Sequence, residues 1–177
     1  MLRTIAFAFA KPPEVLEGAS EETKKLSTAD LFSNMFDLAE YDPDGSLSFG
    51  GLDVSFVPMR HAGSAYGMRI TDGTSVLAHT GDTGDCPGLD TLARDADILL
   101  SEASLREFDP DTSGRHGHLT PGEAGRAASR SGVKRLLLTH MSRSDPEWRA
   151  EMVALASEEL DGPVKAASPD DRYVLDG

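Results

Sequence analysis

Hydrophobic and polar positions change period part-way along the chain. Leu52, Val54 and Phe56 alternate with Asp53 and Ser55, the period of two that predicts a strand with one buried face. Ala65 to Thr71 forms a second such run, and Asp72-Gly73 turns it as a hairpin into Thr74 to Thr80. Beyond Thr80 the pattern becomes α/β. A short helix is predicted over Leu89 to Arg94, a buried strand over Ile98 to Ser101, and another strand over Val133 to Thr139. Thr120-Pro121-Gly122-Glu123 is the sharpest boundary. Thr120 caps a helix, Pro121 suits its first position and Glu123 completes a capping box. Ala124, Ala127 and Ala128 give that helix a small-residue face, and Gly132 ends it.

Ser144-Asp145-Pro146-Glu147 starts a last helix, with Trp148, Met152, Leu155 and Ala156 as its buried stripe. Val164 to Ala166 and Arg172 to Leu175 are expected as two closing edge strands. Near the start, Ile5 to Phe9 is expected as a strand, stopped by Pro12-Pro13. Ser27 then caps an amphipathic helix carrying Leu31, Phe32, Met35, Phe36 and Leu38. Asp42-Pro43-Asp44-Gly45 turns the chain, and Asp109 to Gly117 is its long polar loop.

Composition narrows the function classes. At 177 residues, a single domain over 1–177 is expected, and 39% hydrophobic with 27% charged residues is ordinary for a soluble protein. The net charge of −13 argues against loose binding to a phosphate backbone, which needs Lys and Arg to displace counterions. Cys86 is the only cysteine, so no disulfide forms within the chain, as expected of the cytoplasm. The apolar run in Met1 to Ala10 is too short for a signal peptide, and no run reaches the length of a membrane span.

In α/β folds ligands gather at the carboxyl ends of strands, and several reactive side chains fall there. Asp82 follows a strand and stands between Gly81 and Gly84; it is either a metal ligand or an Asp bonding its own turn. His140 ends the apolar run Leu136-Leu137-Leu138-Thr139, as a ligand or as a structural imidazole. His118 precedes the helix cap, where a positive helix end disfavours its protonation and suits contact with an anion. With His116 it also forms a His-x-His pair. Glu102 leaves a buried strand and is placed to orient His118 or a water. His79 lies out of phase with Asp82 and is expected to be structural.

Leu77 to Asp82 (LAHTGD), Asp97 to Ala103, Gly117-His118-Leu119-Thr120 and Leu138-Thr139-His140 come in the order seen in metallo-β-lactamase-fold hydrolases. The chain most resembles the ribonuclease Z-like branch, and His61 followed by Ala65 to Ile70 adds to that resemblance. It covers Gly50 to His140 and extends to the chain from Pro12. The family's His-x-His-x-Asp-His loop, which supplies most of its metal ligands, does not occur in these residues.

The resemblance implies an α/β fold, the αββα sandwich of two sheets, with this chain as a partial domain lacking the N-terminal part. It implies a metal-dependent hydrolase of phosphodiester or related ester bonds, with two zinc ions in an intact site and weak or absent binding in this chain alone. Asp82 is then a bridging ligand, His140 the last ligand, His118 the group acting on the scissile phosphate with Glu102 behind it, and His61 a substrate-binding residue. Three accounts of the absent loop are open: an incomplete piece of the enzyme, half of a split hydrolase needing a partner chain, or a non-catalytic binding or structural remnant. The acidic charge favours a small ester or phosphodiester over RNA. Self-association through Ile5, Phe7 and Phe9 is expected if a surface for the missing half is exposed.

Overall fold

Among the described residues, seven strands make one sheet in the order in which they occur in the chain. The computed structural model describes residues 41–107 and 117–175, and its elements fall in the unit Pro43–Gly177. They are β1 (Ser46–Phe49), β2 (Leu52–Arg60), β3 (Ser64–Thr71), β4 (Val76–His79), α1 (Pro87–Ala93), β5 (Ile98–Glu102), α2 (Pro121–Arg130), β6 (Leu136–Thr139), α3 (Pro146–Ser157) and β7 (Val164–Ala166). β1 to β4 pair antiparallel, and β4 to β7 pair parallel. Antiparallel neighbours need only hairpins, whereas parallel ones need crossovers, and α1, α2 and α3 are those crossovers. Right-handed crossovers along a sheet of steadily advancing order put all three helices on one face. No second sheet occurs among the described residues.

The switch from alternating to continuous apolar sequence follows from this layout. Leu99, Leu136 and Leu138 lie in central parallel strands and are fully buried. They meet Leu89 and Leu92 of α1, Ala124, Ala127 and Ala128 of α2, and Met152 and Ala156 of α3 in one cluster. Each such leucine contributes about 1.5–3 kcal/mol by leaving water. The alanine face of α2 brings it close to α3: a Cβ on Gly125 would lie 2.5 Å from the Ala156 carbonyl oxygen. The capping box at Thr120 is complete, its hydroxyl accepting from the Glu123 amide at 3.2 Å and the Glu123 carboxylate accepting from the Thr120 amide at 2.8 Å. Asp145 caps α3 through the Trp148 amide.

Three expectations need adjustment, and one strand is additional. Arg172 to Leu175 is not a strand; β7 is the last strand of the sheet. Arg149 binds the carbonyls of Ala166 and Ala167 just past β7, Ser168 and Asp171 then close a turn, and Val174 stands 75% exposed. The buried stripe of α3 runs through Met152 and Ala156 with Val153 and Trp148 packed beside it, while Leu155 lies outside the cluster. β6 begins at Leu136 rather than Val133. Strand β1 was not anticipated, because all four of its residues are exposed and carry no buried alternation. Gly50 and Gly51, with φ of +60° and +80°, make the two-residue turn joining Phe49 to its partner Leu52, a turn that left-handed glycines favour.

The expected Ile5 to Phe9 strand, the Ser27 helix and His116 lie outside the described residues. Among the described residues no helix is long and apolar enough to cross a membrane.

Candidate metal centre

The sheet topology brings four strand ends together. β2 and β4 both flank β3 antiparallel, so they run in the same direction as each other and as β5 and β6. Their carboxyl ends share one edge of the sheet. His61 follows β2, Asp82 lies just past β4, Glu102 is the last residue of β5, and His140 follows β6. His118 comes to the same edge on the segment leading into α2.

Ligand atoms of His61, Asp82 and His118 lie within 4.8 Å of one another. The His61 and His118 rings meet edge to face, with centroids 5.0 Å apart, and the His140 ring lies 5.6 Å from that of His118. His140 Nε2 is 3.6 Å from Asp82 Oδ1, close to the separation of about 3.4 Å between ligand atoms on a tetrahedral zinc. Imidazole nitrogens and a carboxylate oxygen are suitable donors for zinc and similar divalent ions. Asp82 is the shared member, within reach of all three imidazoles. His140 is held at φ +53°, a left-handed backbone uncommon outside glycine, and such strain concentrates at functional positions.

Glu102 fastens this edge from below. Its side chain is 1% exposed, and a buried carboxylate is tolerated only when its oxygens are well bonded. Oε1 accepts from the Thr83 amide at 2.8 Å and lies 2.8 Å from His118 Nδ1. Oε2 accepts from the Ser104 amide and hydroxyl and from the Leu119 amide. With Nδ1 committed to Glu102, His118 presents Nε2 to the cluster.

The loops are fixed by further buried bonds. The Thr80 hydroxyl accepts from the Glu102 amide and donates to the Gly81 carbonyl. His79 Nδ1 accepts from the Gly81 amide at 3.0 Å, a bond that needs the neutral ring. Burial holds the His79 pKa below its ordinary value, against the opposing effect of the Asp82 charge. Gly117 has φ +64°, and a Cβ there would lie 2.7 Å from His61 Cα and 3.0 Å from the Arg60 carbonyl oxygen. Only glycine lets the His118 segment approach His61 so closely.

A family model described as the β-lactamase superfamily domain matches residues 6–141. The chain belongs to this superfamily. An uncharacterized protein of Mycobacterium tuberculosis is 34% identical over 175 residues, covering 91% of this chain and 61% of that protein. The probable metallo-hydrolase YhfI of Bacillus subtilis is 37% identical over 101 residues, 57% of this chain and 41% of YhfI. Its crystal structure superposes with a TM-score of 0.66 at 30% identity, over 73% of this chain and 52% of that one. Ribonuclease Z of Myxococcus xanthus is 36% identical over 91 residues, 51% of this chain and 30% of the enzyme. The chain therefore spans about three fifths or less of the length of these curated relatives. Its mixed α/β architecture is that of the metallo-β-lactamase fold, and the resemblance to the ribonuclease Z-like branch agrees with these relatives.

For this β-lactamase superfamily member, five residues singled out in the sequence converge: His61, Asp82, Glu102, His118 and His140. His61, expected to contact substrate, has a ligand atom within 4.8 Å of those of Asp82 and His118. Its position after β2 was not apparent from a pattern that followed the alternation only to Phe56. His79 is structural as expected, and it shapes the turn that carries Asp82. Thr83 escaped notice, since a threonine in a Gly-Asp-Thr-Gly turn looks like turn chemistry until its burial is known.

Proposed function

We propose that this edge is the metal site of a hydrolase acting on phosphodiester or related ester bonds. The observation that carries the reading is the convergence on Asp82 of His61, with ligand atoms within 4.8 Å, and of His140, 3.6 Å away, with His118 beside them fixed from behind by the buried Glu102. Similarity to a probable metallo-hydrolase and to ribonuclease Z supports it. Asp82, His61 and His140 are assigned as metal ligands, Asp82 being the one shared by both imidazoles. A zinc ion held there supplies Lewis-acid polarisation of a phosphoryl or carbonyl oxygen and activates water. Taking His61 as a ligand replaces the substrate contact expected of it.

His118 is assigned as the acid that protonates the leaving oxygen. Its Nδ1 faces Glu102, so a proton on Nε2 points into the site. Asp82 contributes negative charge to the ion. The net charge of −13 supports a small ester or phosphodiester over RNA as substrate, and the lone Cys86 supports a cytoplasmic setting. Two ions need more donors than Asp82, His61 and His140 offer. The reading therefore includes further ligands from outside these 177 residues and weak zinc binding by this chain alone.

Hydrolysis of bis(p-nitrophenyl) phosphate in excess zinc tests this, with Asp82→Ala as the baseline. Only slow turnover above the baseline is expected, because the remaining ligands come from outside these residues. Zinc bound through Asp82 with no turnover at all would favour the second reading, a non-catalytic binding protein, which the absent His-x-His-x-Asp-His loop also motivates.

A further inference from the structure

We propose that Thr83 is a positioning residue that locks the His61 arm of the site to the Glu102–His118 arm. The inference rests on the metal-site reading above. Thr83 is fully buried, so it touches neither solvent nor substrate, yet its hydroxyl and its amide are committed to different parts of the site. Its hydroxyl accepts at 3.1 Å from the amide of Arg60, the residue preceding His61. The same hydroxyl donates to the Gly84 carbonyl at 2.8 Å. Its amide donates to Glu102 Oε1, the oxygen that also meets His118 Nδ1. The Gly84 amide returns to the Arg60 carbonyl at 2.8 Å, so Thr83 and Gly84 grip Arg60 at both its amide and its carbonyl.

Asp82 is the preceding residue, so one buried side chain borders all three functional groups. The Arg60 guanidinium also lies against Gly84, and Thr83 is the residue whose side chain hydrogen-bonds the backbone at the end of β2. His61 is otherwise steadied from the far side by Gly117, whose closeness leaves little room for a shifted imidazole. With the hydroxyl proton spent on Gly84, the Cys86 thiol, 3.7 Å away, is the donor in that contact. Replacing the hydroxyl by a methyl leaves the part-buried Arg60 amide without its acceptor, and an unmatched donor there favours a shift of the chain toward another partner. That movement carries His61 with it.

Three variants and two measurements test the assignment. Thr83→Val keeps the shape and removes the hydroxyl, Thr83→Ser keeps the hydroxyl, and Thr83→Ala removes it without placing a methyl against Cys86. The first measurement is the nuclear Overhauser contact between the His61 and His118 rings in metal-free protein; the second is zinc affinity by titration. Thr83→Val is expected to lose the ring contact and to weaken zinc binding by about tenfold or more, the scale on which groups behind metal ligands act. Thr83→Ser should match the wild type in both. The assignment is overturned if Thr83→Val retains the ring contact and the affinity, or if Thr83→Ser loses as much as Thr83→Val. It is also overturned if both Thr83→Val and Thr83→Ala fail to fold, since the hydroxyl would then be a folding determinant. A wild-type chain that bound no zinc through Asp82 would defeat the metal reading alone, and the ring contact would still decide the role of Thr83.

Discussion

The Nδ1 atom of His118 lies 2.8 Å from Oε1 of Glu102, a carboxylate that is 1% exposed. This pairing fixes which nitrogen of His118 faces the site, and it ties the segment before α2 to the end of β5. Glu102→Gln keeps the shape but replaces an all-acceptor group by one whose NH2 faces donors from Thr83, Ser104 or Leu119. The variant is expected to lose about 1–3 kcal/mol of stability in urea unfolding, from donors left unmatched. Turnover should fall roughly 10–100-fold, as for other groups that orient a functional histidine. Wild-type stability in Glu102→Gln would contradict the pairing.

Asp82 and His118 should part company under substitution. Asp82→Ala is expected to lower zinc content and turnover together, because its carboxylate is the donor common to the cluster. His118→Ala should leave zinc content near that of the wild type while turnover falls by about a hundredfold or more, the scale of a lost general acid. Metal analysis beside kcat separates the two. If His118→Ala lost its zinc as readily as Asp82→Ala, His118 would be a ligand.

Gly117 should not tolerate a side chain. Alanine there meets a left-handed backbone, costing about 1–2 kcal/mol, and its Cβ would press on His61 Cα. Gly117→Ala is therefore expected to lower thermal stability and also to weaken zinc binding, since the backbone of His61 must give way. A stability loss with unchanged zinc affinity would show that the Gly117 contact does not set the ligand.

Much of this arrangement was legible in the chain, for identifiable reasons. The capping box at Thr120 depends only on residues three apart, and the Asp72 turn and the leucine-rich strands are equally local. Asp82, His118 and His140 stood out because each is a reactive residue at a strand or helix boundary. What was not legible depends on contacts far apart in sequence. His61 gains its place from β2 lying two strands from β4, and Thr83 gains its role from Arg60, 23 positions away. β1 escaped because an exposed edge strand has no buried face to impose alternation, although Gly50-Gly51 marked its turn. Arg172 to Leu175 resembles a strand in composition, but the carbonyls past β7 are already taken by Arg149.

Acid should act on the β3–β4 hairpin through Asp72. The amides of Ser75 and Thr74 and the Thr74 hydroxyl bind its carboxylate and lower its pKa from 3.8 to about 2. A depressed pKa in the folded state means stability that is present above the unfolded value of 3.8 and lost as pH falls through about 2. The stability gap between wild type and Asp72→Ala should therefore be constant above that window and shrink across it. Parallel acid unfolding curves of the two proteins check this. A gap that stayed constant to the lowest pH, or widened, would contradict it.

His61, Asp82 and His140 are proposed to hold a divalent ion at the carboxyl ends of β2, β4 and β6. Anomalous diffraction at the zinc edge, from crystals of the chain soaked in zinc, measures this most directly. The predicted result is a peak at coordination distance, about 2.0–2.2 Å, from the Asp82 carboxylate and the His61 and His140 imidazoles, absent in Asp82→Ala. No peak at this edge of the sheet, or a peak that persists unchanged in Asp82→Ala, would contradict the account.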